Sequence, residues 1–253
     1  MKKLLIWLPG MLSMLAACTE AVEIPARAPE KQSPVRVELH LTTEQQQAAT
    51  RAMDENCIRD VNLYLYGDTE YHFYFPSVSS PLVFNVLPGN YRSYAIANAG
   101  QDLGDKNAFK IQFYETAVDV MVSSDAIPMT DRGTLAVDGA GRCTPSSLRV
   151  TRSAAKIAYT IEVADAVAPS LRLRSVQFCN LPLTIRPFDS GSISSTVEAN
   201  YYDGEAMPVG NERRTAGTAY LFENLQGSVD TITDQKDKCP ENAPSCATYL
   251  RIL

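Results

Sequence analysis

The chain has 253 residues, enough for one large or two ordinary domains. It carries 23 basic and 29 acidic residues, a formal charge of -6, and this acidic balance argues against nucleic acid or an anionic lipid surface as the partner. After the first 17 residues, no apolar stretch in the sequence is long enough to span a membrane.

Residues 1–17 have the layout of a secretory signal peptide. Lys2 and Lys3 precede the short apolar stretch 4–15, and two alanines precede Cys18. A cysteine directly after the small residues is typical of a lipoprotein signal, in which Cys18 becomes the acylated N-terminus. We therefore predict a body tethered to a membrane by lipid, with an ordinary signal peptide followed by a chance cysteine as the alternative.

Residues 18–34 are predicted to form a flexible tether. The stretch is rich in proline and charge and poor in large apolar side chains, so it cannot bury enough surface to fold. Glu20 and Glu23 follow Cys18 closely, and acidic residues there help to send some Gram-negative lipoproteins to the outer face. A solvated linker explains the same two residues equally well.

From residue 35 onward, apolar side chains recur at every second position, as in a strand with one buried and one wet face. The first such strand carries Val35, Val37, Leu39 and Leu41. The same alternation returns at residues 61–66, 157–163 and 171–174. Because turn residues separate these segments and no amphipathic helices lie between them, we predict an all-β fold of the sandwich class.

Two segments depart from this pattern. Residues 42–56 contain good helix formers without an apolar stripe, which predicts an exposed helix or a mobile loop. Residues 105–123 mix apolar positions without a clean period and stay open between helix and strand. A composition change at residues 138–148 predicts the joint between two halves, 35–147 and 148–253, each as long as a seven-stranded sandwich.

The cysteines favour one local bridge and no metal site. Five of the six cysteines remain after Cys18 is lipidated, and an odd number cannot all pair. Cys239 and Cys246 flank the turn-prone segment PENAPS, so a disulfide between them is predicted, with two free thiols as the alternative. The sequence has only two histidines, His40 and His72, and no CxxC pair, so neither a structural zinc ion nor another cofactor is expected.

The sequence contains no catalytic motif: GxSxG, HExxH and a Walker loop are all missing, and the carboxylates are scattered. We therefore predict that the protein is not an enzyme. The aromatic-rich stretch 64–75, YLYGDTEYHFYF, has two interpretations. It is either a sugar-stacking platform or adhesive patch, or a hairpin with cross-strand aromatic pairs, and the hairpin is favoured.

Six phrases in order resemble the fimbrillin family of type V pili, the Bacteroides-type fimbriae, and in particular its lipid-anchored FimB-like subunits. They are ENCIRDVNLYLYG (55–67), LPGNYRSYAIANAG (87–100), IPMT (127–130), VTRSAAKIAYTIEV (150–163), AYLFENLQG (219–227) and ATYLRI (247–252). The resemblance spans nearly all of the chain after the signal peptide. It implies two tandem transthyretin-like β-sandwich domains that assemble into fibres when a strand of one subunit fills a groove in the next.

In that family an arginine-specific protease removes the first strand of a processed subunit. Here the matching strand is Val35–Leu41, and the candidate cleavage site after it is Arg51, with Arg27 and Arg36 as alternatives. If Arg51 is cut, the chain becomes a polymerising or terminal subunit. If Arg51 is spared, the lipid at Cys18 stays attached and the chain is an anchor at the fibre base.

The resemblance also implies where the chain acts and with what. We expect an outer-membrane, cell-surface anchor or accessory subunit whose partners are other fimbrial subunits, with a host or bacterial surface ligand as a further partner. Family members continue past the ATYLRI-like strand, whereas this chain stops at Leu253. The second domain is therefore expected either to be truncated or to be short, with an unpaired edge. The alternative function is that of a surface glycan-binding lipoprotein.

Overall fold

The structure, a computed structural model, describes residues 32–43, 57–112, 114–117, 127–168, 170–189, 194–210, 212–227, 234–237 and 239–253. The signal peptide, Cys18, most of the tether, Arg51 and residues 44–56 therefore lie outside the described residues. Ser33–Leu253 form a unit of their own. Within the described part, no helix combines the length and apolar character needed to cross a membrane.

The elements of the N-terminal part are β1 (Val35–Thr43), β2 (Val61–Tyr66), β3 (Glu70–Phe75), β4 (Leu82–Val86), β5 (Gly89–Ala97), α1 (Ala108–Gln112), β6 (Thr116–Ala117), β7 (Met129–Val137), β8 (Cys143–Thr144) and β9 (Ser147–Arg152). The strands of the C-terminal part are β10 (Ala154–Glu162), β11 (Ser175–Cys179), β12 (Leu181–Pro182), β13 (Thr184–Ile185), β14 (Tyr201–Tyr202), β15 (Met207–Pro208), β16 (Arg214–Phe222) and β17 (Tyr249–Ile252). Short 3₁₀ turns lie at Glu198–Asn200, Gln235–Asp237 and Pro240–Asn242. The predicted all-β fold is confirmed, and its sheets form a sandwich.

The main sheet has the strand order β3-β2-β5-β7-β9-β1-β4, with β8 added on β7. Most neighbours are antiparallel, but β1 divides its pairing between two strands. Its residues Val35–Leu39 pair antiparallel with β4, and His40–Thr43 pair parallel with β9. Because β7 and β9 pair only at Met129 and Thr130, the sheet separates there into two layers that enclose the main core.

Strand β2 corrects the sequence interpretation. The alternation of residues 61–66 predicts one wet face, yet all six residues are buried. Val61, Leu63 and Leu65 face the main core. The opposite face is covered by the loop after β5, because Asn62, Tyr64 and Tyr66 donate side-chain hydrogen bonds to carbonyls of Gln101, Gly104 and Lys106.

The stretch that stays open in the sequence, 105–123, contains both kinds of structure. Helix α1 places Ile111 under the tyrosines of β2, and β6 follows it. Residues 171–174, predicted as a strand, are not one in the structure. Leu173 is buried, but Leu171 is 54% exposed.

The C-terminal part consists of small sheets rather than one large sheet. Strands β10 and β16 form a two-stranded ribbon, and β15, β11 and β17 form a three-stranded sheet. Two further pairs, β12 with β14 and β13 with β6, complete the assembly. The β13–β6 pair links the two parts of the chain, as does Phe188, whose ring packs edge-on against Tyr94 at 5.1 Å between centroids.

Strand β9 crosses the predicted domain boundary between residues 147 and 148. Its pairs with β1 and β7 place Ser147–Arg152 in the main sheet, so a boundary after Arg152 fits the sheets better. The division into two domains itself stays a prediction.

Candidate functional site: the first strand and the C-terminal sheets

Strand β1 fills a groove between β4 and β9. Val37 and Leu39 are fully buried in the main core, and Val35 and Leu41 pack against it while partly exposed. On the opposite face, Arg36 and Glu38 form an exposed ion pair at 2.7 Å. The alternation predicted for Val35, Val37, Leu39 and Leu41 therefore matches the burial of these side chains.

Removing β1 would open this groove along its whole length. Among the described residues, β4 would lose its partner strand, and β9 would keep only its two-residue pairing with β7. A fully buried Val or Leu side chain contributes about 1.5–3 kcal/mol. Val37 and Leu39 together therefore contribute roughly 3–6 kcal/mol, so the strand does not leave readily and an emptied groove favours a replacement strand.

The ribbon of β10 and β16 has one apolar and one polar face. Ile157, Tyr159 and Ile161 point to one side, and Lys156, Thr160 and Glu162 point to the other. The apolar face contacts the three-stranded sheet, because the Tyr159 ring packs edge-on against Phe178 at 5.9 Å between centroids. This arrangement is that of a second sandwich with two strands in one layer and three in the other.

Large apolar side chains remain exposed in this second sandwich. Among the described residues, twelve large hydrophobic side chains are exposed, and ten of them follow residue 153. Ile157 on the ribbon is 37% exposed, and Ile252 on β17 is 51% exposed. Single exposed apolar side chains are normal on a protein surface, so these side chains indicate a candidate contact only where they lie on sheet strands, as Ile157 and Ile252 do.

A cavity of about 1070 Å³ lies where the two parts of the chain meet. Its lining includes the start of β7, the end of β9, the start of β10, strands β12 and β13, and the end of β16. An exposed ion pair between Arg186 and Glu115 at 3.0 Å joins the two parts beside it. Hydrogen bonds from Thr184 and Arg186 lower the pKa of the Glu115 carboxyl, so the pair is charged at neutral pH.

The described residues supply no metal centre: no three His, Cys, Asp or Glu side chains among them lie close enough to hold an ion. Cys239 and Cys246 are free thiols in the structure, Cys239 half-buried and Cys246 buried. The Cys246 Sγ lies 3.7 Å from the Ser245 Oγ, and the Cys239 Sγ lies 3.7 Å from the Asp237 carbonyl oxygen. The bridge between them stays a prediction.

The aromatic stretch forms a hairpin, as the favoured interpretation predicts. Strands β2 and β3 pair along their full length, with Leu63 opposite Phe73 and Leu65 opposite Tyr71. Tyr71, Phe73 and Phe75 pack against the main core, and Phe73 lies 4.9 Å from Phe84 between ring centroids. These three rings therefore serve packing rather than an open sugar platform.

His72 lies on the other face of this hairpin, in a partly buried polar cluster. Its ring stacks on Tyr64 at 4.4 Å, and its Nε2 lies 3.1 Å from the Asn62 Oδ1. The carboxylates of Asp102 and Asp105 are within 4 Å of the two ring nitrogens. Burial lowers the pKa of His72, although both carboxylates act in the opposite direction.

A polar network that the sequence analysis missed ties the C-terminal strands together. The Asn224 Nδ2 donates to the Cys246 carbonyl oxygen at 2.8 Å and to the Thr248 Oγ1 at 2.9 Å. The Thr248 hydroxyl in turn donates to the Asn180 carbonyl oxygen at 2.9 Å. Asn224 stands in the phrase AYLFENLQG, where only its turn-forming tendency gave a signal.

Comparison with known proteins supports the fold. A family profile described as a domain of unknown function, DUF4906, matches residues 219–253, and no curated protein matches the chain. A solved fimbrilin from Porphyromonas gingivalis W83 is similar with a TM-score of 0.53 and 12% identity, covering 87% of this chain and 80% of that one.

Two proteins described as cell adhesion proteins are similar to the same degree. The one from Parabacteroides distasonis ATCC 8503 has a TM-score of 0.55 and 8% identity, covering 79% of this chain and 75% of that one. The one from Bacteroides eggerthii DSM 20697 has a TM-score of 0.51 and 13% identity, covering 78% of this chain and 72% of that one. The chain therefore has a fimbrillin-like fold.

Proposed function

We propose that the chain is a lipid-anchored structural subunit of a cell-surface fimbria, an anchor or accessory subunit rather than the main shaft protein. Cys18 would hold it in the outer membrane, and its sheets would exchange strands with neighbouring subunits. The fold supports this proposal because it is shared with a fimbrilin and with proteins described as cell adhesion proteins. A non-enzymatic, structural role agrees with those descriptions.

The observation that carries the proposal is the apolar surface left uncovered in the C-terminal part. The two-stranded ribbon offers Ile157 and Ile161 on a face that the three-stranded sheet covers only in part. Edge strands with exposed apolar side chains aggregate unless a partner covers them. A strand supplied by another subunit would pair with the ribbon edge and bury these side chains, which is β-augmentation.

The first strand decides which kind of subunit the chain becomes. With β1 in place the N-terminal groove is full, and the chain joins its neighbours only through the C-terminal part, as an anchor would. Cleavage at Arg51, followed by loss of β1, would open the groove between β4 and β9 and separate the body from Cys18. We propose that β1 is retained, because its buried side chains hold it in the core.

Mass spectrometry of fibres isolated from the cell surface tests this function. We expect this chain in the fibres, with its N-terminus at an acylated Cys18. An N-terminus at Ala52 would instead show that Arg51 is cut and that the chain is a polymerising or terminal subunit. Absence of the chain from every polymer on cells that express it would refute the proposal.

A matched pair of variants tests the ribbon. Ile157→Lys places a charge on the apolar face, whereas Thr160→Lys places the same charge on the exposed polar face. Because Ile157 is 37% exposed, its lysine head group reaches water and the monomer still folds. We expect at least a tenfold loss of fibre incorporation for Ile157→Lys and none for Thr160→Lys, and equal incorporation would exclude the ribbon as the contact.

A further inference from the structure

The turn between β7 and β8 lies directly on the first residues of β1. Gly141 in this turn has a φ of +79°, which L side chains rarely adopt. A Cβ at this position would lie 2.1 Å from the Arg36 carbonyl oxygen, far inside van der Waals contact. The backbone of the turn therefore touches the backbone of β1, and only glycine permits this approach.

Side-chain and backbone hydrogen bonds hold the turn in this shape. The Asp138 Oδ1 accepts the N–H groups of Ala140 and Arg142, each at 2.9 Å, and its Oδ2 accepts the Arg142 Nε–H at 2.6 Å. The Gly141 N–H donates to the Asp138 carbonyl oxygen at 3.0 Å. Asp138 thus fixes the turn from within, independently of β1.

The same stretch of chain also contacts the far end of β1. The His40 N–H donates to the Ser146 carbonyl oxygen at 3.1 Å, and the Thr42 hydroxyl donates to the Leu148 carbonyl oxygen at 3.2 Å. Beyond these bonds, the last four residues of β1 pair in parallel with β9. One continuous segment, residues 138–150, therefore touches β1 from its first residues to its last.

We propose that residues 138–150 form a clasp that retains β1 in the groove, with Gly141 as its contact at the N-terminal end of the strand. Release of β1 then requires two separate events. The parallel pairing with β9 opens at one end, and the turn lifts from Arg36 at the other. The clasp concerns the retention of β1 alone, so it does not depend on fibre formation.

Hydrogen–deuterium exchange on the full-length chain in detergent tests the clasp. In Gly141→Ala the new methyl group forces the turn away from Arg36. We expect amide exchange in Val35–Leu39 to accelerate at least tenfold, while exchange in β2 and β5 stays unchanged. The control is Gly139→Ala in the same turn, because a Cβ there meets nothing within 4 Å and φ lies outside the left-handed region.

A second variant keeps the test decisive if Gly141→Ala does not fold. Asp138→Ala loosens the turn without adding an atom near β1, and it should accelerate exchange in Val35–Leu39 selectively, though less than Gly141→Ala. Unchanged exchange in β1 in both variants, or equal acceleration in β1, β2 and β5, would overturn the clasp. Because the readout needs no fibres, its failure is distinguishable from failure of the proposed function.

Discussion

Leu39→Ala tests whether β1 is an integral strand of the main core. The Leu39 side chain is fully buried, and its residue pairs with Leu82 of β4. Replacing a buried Leu by Ala in a packed core costs about 2–5 kcal/mol, through lost transfer free energy and the cavity left behind. The total free energy of unfolding of a native protein is only about 5–15 kcal/mol. We therefore expect the free energy of unfolding to fall by about 3 kcal/mol.

Equilibrium urea unfolding, followed by far-UV circular dichroism, measures this loss. Leu41→Ala, at a partly buried position of the same face, should cost about half as much. Glu38→Ala, on the exposed face, removes only a surface ion pair with Arg36 and should change stability by less than about 1 kcal/mol. If Leu39→Ala and Glu38→Ala unfold at the same urea concentration, β1 does not occupy the core and the reasoning fails.

Three further predictions concern Asn98, His72 and the pair of Cys239 and Cys246. Asn98→Ala removes amide hydrogen bonds to Cys57 and Ile127 and places Ala at a φ of 62°, so urea unfolding should show a loss of about 2–4 kcal/mol. Burial lowers the pKa of His72 in the folded state below the ordinary histidine value of about 6.5. The contribution of His72 to stability should therefore be complete above the pKa of the unfolded state and be lost as the pH falls through the folded pKa, so melting curves of His72→Gln should decline less over this range. Peptide mapping of periplasmically expressed protein should recover Cys239 and Cys246 in one disulfide-linked peptide, and alkylation of both thiols without prior reduction would contradict that pairing.

The fold class could be predicted from the sequence because burial in a strand is encoded locally. In β1 the alternation of Val37 and Leu39 with charged residues matches their burial in the structure, since neighbouring side chains of a strand point to opposite faces. The β2–β3 hairpin could also be predicted locally, because its strands are joined by a short turn around Gly67 and Asp68, although the wet face expected of β2 is buried. In both cases the signal lies within a few residues.

The groove around β1 could not be predicted, because its walls come from distant residues. His40 pairs with Ser147, more than a hundred residues along the chain, and no local pattern encodes this register. The burial of Tyr64 and Tyr66 was missed for a related reason. A tyrosine side chain occurs on both exposed and buried faces of a strand. The loop that covers these two accepts their hydrogen bonds through backbone carbonyl groups, which every residue has, so its sequence gives no signal of the contact.

Two asparagines have the same backbone conformation and hydrogen-bonding role in the two parts of the chain, although the residues around them differ. Asn98 follows β5 and Asn180 follows β11, and both have a positive φ, 62° and 55°. Each side-chain amide donates to two backbone carbonyl oxygens in segments that lead into the neighbouring strands.

For Asn98 these segments precede β2 and β7, and for Asn180 the segment precedes β17. In each part of the chain, the residue that ends a central strand therefore fixes where the adjacent strands begin. This arrangement needs only an asparagine with a positive φ and two backbone carbonyl groups within reach, so it places few demands on the neighbouring side chains. The same hydrogen-bonding pattern in both parts of the chain agrees with the prediction of two sandwiches, because each sandwich must fix where the strands beside its central strand begin.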